Sequence, residues 1–153
     1  MKKIISPLLL TLLAIGLFSS CAKKSSNPPP AAPVSAISAT LGVTKWTAAT
    51  TSVNKSSTVI TIKGTKPDGT YLKVTIPPNA STGSTYNLPS SGIEDFEYFD
   101  TNVAWLASLG SINVTTFNTS TNVMSGTFQG TLTDPSNGSN TIKVTGGTFT
   151  AVF

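Results

Sequence analysis

Ile60-Thr61-Ile62-Lys63-Gly64-Thr65-Lys66-Pro67-Asp68-Gly69-Thr70-Tyr71-Leu72-Lys73-Val74-Thr75-Ile76 is the stretch whose pattern decides the fold. Ile60 and Ile62 alternate with Thr61 and Lys63, and Leu72, Val74 and Ile76 alternate with Lys73 and Thr75. Successive side chains of a strand point to opposite faces, so a period of two predicts strands with one face buried. Between the two runs, Pro67 presets φ, Asp68 bonds its own backbone, and Gly69 accepts positive φ. The stretch therefore reads as an antiparallel hairpin.

The same period continues on both sides. Pro77-Pro78-Asn79 ends the second strand, because proline cannot donate to a ladder. Ile112 and Val114 alternate with Asn113, and Met124, Gly126, Phe128, Gly130 and Leu132 share one face opposite Ser125, Thr127, Gln129 and Thr131. Ile142 and Val144 follow, then Phe149, Ala151 and Phe153. Asp134-Pro135-Ser136-Asn137-Gly138 reads as a second turn and Gly146-Gly147 as a third. No amphipathic helix follows Ser19. Half-buried alternation over so many segments predicts an all-β domain over residues 41–153, a single antiparallel β-sandwich or flattened barrel of about eight or nine short strands. A glycine precedes an aromatic four times, in Gly69-Thr70-Tyr71, Gly83-Ser84-Thr85-Tyr86, Gly126-Thr127-Phe128 and Gly147-Thr148-Phe149. The expectation there is that glycine closes a turn or bulge and the aromatic opens a strand.

Composition agrees with this reading. Of 153 residues, 39% are hydrophobic and 10% charged, against roughly 25% charged in a typical soluble domain. A disordered chain combines low hydrophobicity with high net charge, and this one does not. The formal net charge is +4, but Lys2 and Lys3 lie in the leader, which leaves 4 − 2 = +2. Lys23 and Lys24 precede the domain, so the folded part is close to neutral. The sequence has no arginine, the usual reader of phosphates and guanine edges. Nucleic acid is not an expected partner.

The N-terminus predicts export and anchoring. Lys2 and Lys3 form a positive region, and Ile4 to Phe18 an apolar run shorter than the ~20 residues of a membrane span. It has the proportions of a secretory signal, residues 1–20, and takes no part in the fold. Leu17-Phe18-Ser19-Ser20-Cys21 resembles the bacterial lipobox, with Phe18 where leucine usually stands. Cys21 is the single cysteine, so no disulfide can form within the chain, and acylation gives the thiol a use. The membrane is thus an expected partner, through acyl chains on Cys21. Residues 21–40 read as a lipidated cysteine and a Pro/Ser-rich tether, extended at about 3 Å per residue.

Several motifs together resemble a family of Bacteroidota lipoproteins known only as a domain of unknown function. They are Lys45-Trp46-Thr47-Ala48, the hairpin from Ile60 to Ile76, Gly83-Ser84-Thr85-Tyr86-Asn87-Leu88, Gly110-Ser111-Ile112-Asn113-Val114-Thr115, Ser125-Gly126-Thr127-Phe128 and Gly146-Gly147-Thr148-Phe149. The resemblance implies an outer-membrane lipoprotein and brings no catalytic residue. In that group acidic residues after the cysteine accompany surface export. Ala22-Lys23-Lys24 is basic here, which implies the periplasmic face.

The chemistry-bearing residues are few. Without histidine there is no Ser-His-Asp or Cys-His nucleophile system and no His-based zinc or copper site. No glycine-rich phosphate loop precedes a helix. No cofactor is expected. Four of the six acidic side chains, Glu94, Asp95, Glu97 and Asp100, fall within seven residues and interleave with Phe96, Tyr98 and Phe99. The reading preferred is a solvated connection whose aromatics pack on the edge of the sheet. If the segment is instead a site, Glu94, Asp95, Glu97, Tyr98 and Asp100 are its candidate ligand-binding residues. Paired carboxylates suit glycoside hydrolysis, and clustered ones suit calcium. Asp68 and Asp134 read as turn residues, and Trp46 and Trp105 as core rather than sugar platforms. The expected function is a non-enzymatic envelope protein that binds a glycan or protein or serves a structural role. The alternative is a glycan-processing enzyme using residues 94–100.

Overall fold

The computed structural model describes residues 30–153. The export signal, Cys21 and the first part of the proposed tether, through residue 29, lie outside the described residues. From Ala32 onward the chain is one compact unit of ten strands: β1 Ala36–Leu41, β2 Thr44–Thr47, β3 Thr50–Lys55, β4 Ile60–Thr65, β5 Tyr71–Ile76, β6 Thr85–Leu88, β7 Asp95–Phe99, β8 Ala104–Asn118, β9 Val123–Asp134 and β10 Asn137–Val152. All pairings are antiparallel, in the order β2-β1-β10-β9-β8-β7-β5-β4-β3, with β6 beside the second half of β8. The sheet curls into a half-barrel, within the flattened-barrel class that the alternation predicts.

What curls it is the joint between β2 and β3. These strands lie at opposite ends of the sheet order, yet only Ala48 and Ala49 separate them. The Ala48 N–H donates to the Ile37 carbonyl of β1 (3.1 Å), and the Ala49 N–H to the Thr65 carbonyl of β4 (3.0 Å). One short corner therefore holds both ends of the sheet. Inside the curl lie Ile60, Ile62, Leu72, Val74, Ile76, Phe96, Ile112, Met124 and Leu132, all with no exposed surface. They are the apolar members of the alternating runs.

The hairpin of β4 and β5 forms as its turn chemistry dictates. Gly69 adopts φ +86, and the Thr70 N–H and hydroxyl both donate to Asp68 Oδ1, at 2.9 and 2.7 Å. Asp134 works the same way, accepting from the Ser136 N–H (2.8 Å) and hydroxyl (2.6 Å).

Three expectations need correction. The sheet begins at Ala36, inside the span read as tether. Ile37 and Ala39 are buried while Ser38 is not, and β1 fills the place between β2 and β10. Its short alanines and serines hide the alternation beside a proline-rich neighbour. Gly146-Gly147 is no turn. It is a bulge within the 16-residue β10, where the register shifts between Val144 and Gly147 and Gly146 takes φ +57. A left-handed glycine at the first bulge position is the conformation such a bulge needs.

The third correction concerns the glycine–aromatic recurrence. Gly69 and Gly83 do close turns, at φ +86 and +87. Gly147 does close the β10 bulge, but it and Gly126 lie in mid-strand, so Phe128 and Phe149 open no strand; instead each glycine faces the other's aromatic. Gly147 pairs with Phe128, Thr148 with Thr127 and Phe149 with Gly126. A side chain on Gly126 would strike the Phe149 ring, and one on Gly147 the Phe128 carbonyl and ring. Each ring thus lies over the glycine opposite, the cross-strand arrangement that covers a bare backbone in sheets. The repeated tripeptide is one reciprocal pair.

Candidate functional site

The acidic–aromatic segment is a strand inside the sheet, between β5 and β8, and not a connection at its edge. The reason lies in its own alternation. Phe96 and Tyr98 point inward, while Asp95, Glu97 and Phe99 point outward, so a charged strand face meets solvent and an aromatic face meets the core. Phe96 has no exposed surface and packs at 5.3 Å on the Phe128 ring.

This placement separates the five candidates. Glu97 pairs with Lys73 directly across on β5 (2.8 Å), in register. Beside it Tyr71 stacks on Phe99 at 5.1 Å, and Lys63 Nζ lies 3.8 Å from the Tyr71 ring centroid. Burial and the Glu97 charge raise the Tyr71 hydroxyl above its usual pKa. Asp95 is half-buried on the same outer face. Burial pushes its carboxyl above the usual range, an effect partly offset by the Phe96 N–H and Lys73.

Asp100 serves the turn that follows. Burial alone would raise it, but hydrogen bonds from the Val103 N–H (2.9 Å), Trp105 Nε1 (2.9 Å) and Asn102 N–H (3.1 Å) hold it below the usual range. Those bonds fix the connection to β8, in which Thr101 takes φ +82. Ser90 donates its hydroxyl to the Glu94 backbone carbonyl (2.9 Å), which ties the approach to β7. Glu94 and Asp95, adjacent in the chain, line one groove with Leu88, Pro89 and Leu106, whereas Glu97 and Asp100 are engaged elsewhere. Among the described residues no three Asp, Glu, Cys or His side chains gather as metal ligands.

Tyr98 is the candidate that leads elsewhere. It faces a cavity of about 500 Å³ that opens at one end of the curl. The Trp46 ring meets Tyr98 edge-on at 6.5 Å, and Leu41 and Ile142 complete an apolar wall. Trp46 is buried as expected, and its Nε1 donates to the Thr70 hydroxyl (3.2 Å), which donates to Asp68. Lys66, Asp68 and Thr70 of the β4–β5 turn and Lys143 of β10 supply the polar part. Burial and the charges of Asp100 and Asp68 raise the Tyr98 hydroxyl above its usual pKa. Sequence reasoning does not find this cavity. Its residues come from four distant segments, and each carries a sufficient local explanation as core or turn.

No family model, curated protein or solved structure matches the chain.

A calcium test follows from the lack of any three-carboxylate cluster among the described residues. Thermal melts of the protein in millimolar calcium and in chelator are expected to coincide, for wild type and for Asp95→Asn and Glu97→Gln. A saturated site would add about 2.7 kcal/mol at a hundredfold excess over Kd, several degrees in a domain this size. A calcium-dependent rise abolished by those two substitutions would place a metal site on β7.

Proposed function

We propose that the chain is a lipid-anchored protein of the bacterial outer membrane, held by acyl chains on Cys21, with a β domain that binds rather than catalyses. The anchor rests on sequence: a basic start, a 15-residue apolar run from Ile4 to Phe18 and the lipobox-like Leu17-Phe18-Ser19-Ser20-Cys21. Two or more acyl chains give stable attachment where one gives only reversible binding. The basic Ala22-Lys23-Lys24 favours the periplasmic face, as in the Bacteroidota lipoproteins that the motifs resemble. Lys23 and Lys24 suit contact with anionic headgroups.

The observation that carries the non-enzymatic reading is the engagement of the acidic residues. Glycoside hydrolysis needs two carboxyl groups facing one bond, roughly 5–10 Å apart. Here Glu97 pairs with Lys73 and Asp100 caps its turn, which leaves Glu94 and Asp95 in a groove of their own, while the cavity beside Tyr98 is lined by one carboxylate, Asp68. A glycan or protein partner fits this reading; glycan processing by residues 94–100 would have to use Glu94 and Asp95, the two carboxylates that share a groove.

The test is detergent phase separation of cell extracts. Wild type is expected in the detergent phase, and Cys21→Ser in the aqueous phase with an unchanged circular dichroism spectrum. Identical partitioning of the two overturns the anchor.

A further inference from the structure

We propose that the cavity at the open end of the curl binds a small amphipathic anion, an apolar body of medium-chain carboxylate size with one charged head. The inference deepens the binding reading of the domain and is independent of the lipid anchor. Ligand cavities commonly measure 300–1,000 Å³ and combine apolar walls with a few placed polar groups. This one measures about 500 Å³. Its lining is predominantly apolar, with Leu41, Ile142 and Tyr98 half-buried along it. At its lip the β1–β2 turn projects Val43, which is 98% exposed.

The charges stand at the rim. Lys66 Nζ lies 5.4 Å from the Trp46 ring centroid, and Lys143 enters from the opposite side on β10. Among the described residues the single ion pair is Lys73–Glu97, so neither rim lysine has a carboxylate within 4 Å. Asp68 is the one acid in the lining. It is bonded to the Thr70 N–H and hydroxyl, and its charge balances one lysine and leaves the other. The residues that line the mouth therefore carry one net positive charge, and Asp100, outside the lining, reaches only the Tyr98 side of it. An apolar interior rejects an isolated charge, while a rim lysine in solvent accepts one without being desolvated. A ligand with an apolar body and an anionic head satisfies both.

Trp46 belongs to the floor and not to a sugar platform. It is 3% exposed, and Lys66 lies over its ring. A saccharide would need a free aromatic face to stack on.

The experiment uses the full chain carrying Cys21→Ser, so that no acyl group of its own competes. Decanoate, decanol and glucuronate are titrated into ¹⁵N-labelled protein. Decanoate is expected to shift the amides of Gly42, Val43, Thr70 and Lys143 saturably and to leave Ser120 and Thr121, at the β8–β9 turn, in place. Lys66→Gln and Lys143→Gln are each expected to raise Kd up to about fivefold. Decanol should bind about tenfold more weakly than decanoate, a comparison that does not depend on any variant. Decanoate shifts that are absent, unsaturable or located elsewhere overturn the site. Equal affinity for decanol, or indifference to both lysine changes, overturns the anion. Binding of glucuronate without decanoate overturns the apolar body. A failed titration with Cys21 partitioning as expected leaves the anchor intact and removes only the cavity assignment.

Discussion

Deleting Thr148 to Phe153 is expected to unfold the domain outright. Thr148 to Val152 are the last five residues of the 16-residue β10, which stands between β1 and β9. Ser125 to Thr127 of β9 pair with Thr148 to Thr150 on one side, and Ala36 to Ser38 of β1 pair with them on the other. Phe149 and Ala151 are 2% and 0% exposed, and the Phe149 ring is the cover over Gly126. Truncating a single buried Phe costs about 3–5 kcal/mol, and a whole domain has only about 5–15 kcal/mol to lose. The deletion also strips hydrogen-bond partners from two strands at once and separates half of β1 from β10. Circular dichroism melts report the outcome. Loss of the cooperative transition is the expected result, and a melt near the wild-type temperature would contradict the assignment of β10.

How far the fold was readable in the sequence follows from where each signal is stored. The β4–β5 hairpin carries its whole specification within seventeen residues, because alternation and turn chemistry agree there. The acidic strand β7 shows the opposite case. Asp95-Phe96-Glu97-Tyr98-Phe99 alternates correctly, but aspartate and glutamate are poor strand formers, and a charged face argues for a loop until its partners are known. Lys73 is that partner for Glu97, 24 positions earlier. A cross-strand ion pair is a property of the register, and register is not local. The same holds for Gly126 and Gly147, whose purpose appears only when two copies of Gly-Thr-Phe lie antiparallel. The binding cavity is the extreme case. In the sequence Tyr98 is a candidate for its acidic neighbours, yet its face points away from them and towards Trp46 and Ile142, a separation that strand geometry imposes on adjacent side chains.

Gly64 tests what no strand pairing shows, the closure of the curl. It lies in β4, whose ladder neighbours are β3 and β5, while β1 pairs with β2 and β10. Yet a side chain on Gly64 would collide with Ile37 Cγ2 of β1 and lie 2.6 Å from Ala48 Cβ at the corner. Glycine in a strand interior marks a close approach by another part of the chain, and here that part is the opposite end of the sheet. Gly64→Ala is therefore expected to force the Ala48–Ala49 corner outward, against its bonds to Ile37 and Thr65. Overpacking of this kind costs about 1–3 kcal/mol, a fall of several degrees in Tm, and Gly64→Val should cost more. The decisive measurement is a double-mutant cycle with Ile37→Ala, which removes the Cγ2 in the way. Gly64→Ala should cost markedly less in that background, with a coupling of about 0.5–3 kcal/mol. Additive effects would mean that β1 and β4 do not meet, and that the sheet is open where Ala48 and Ala49 now join its ends.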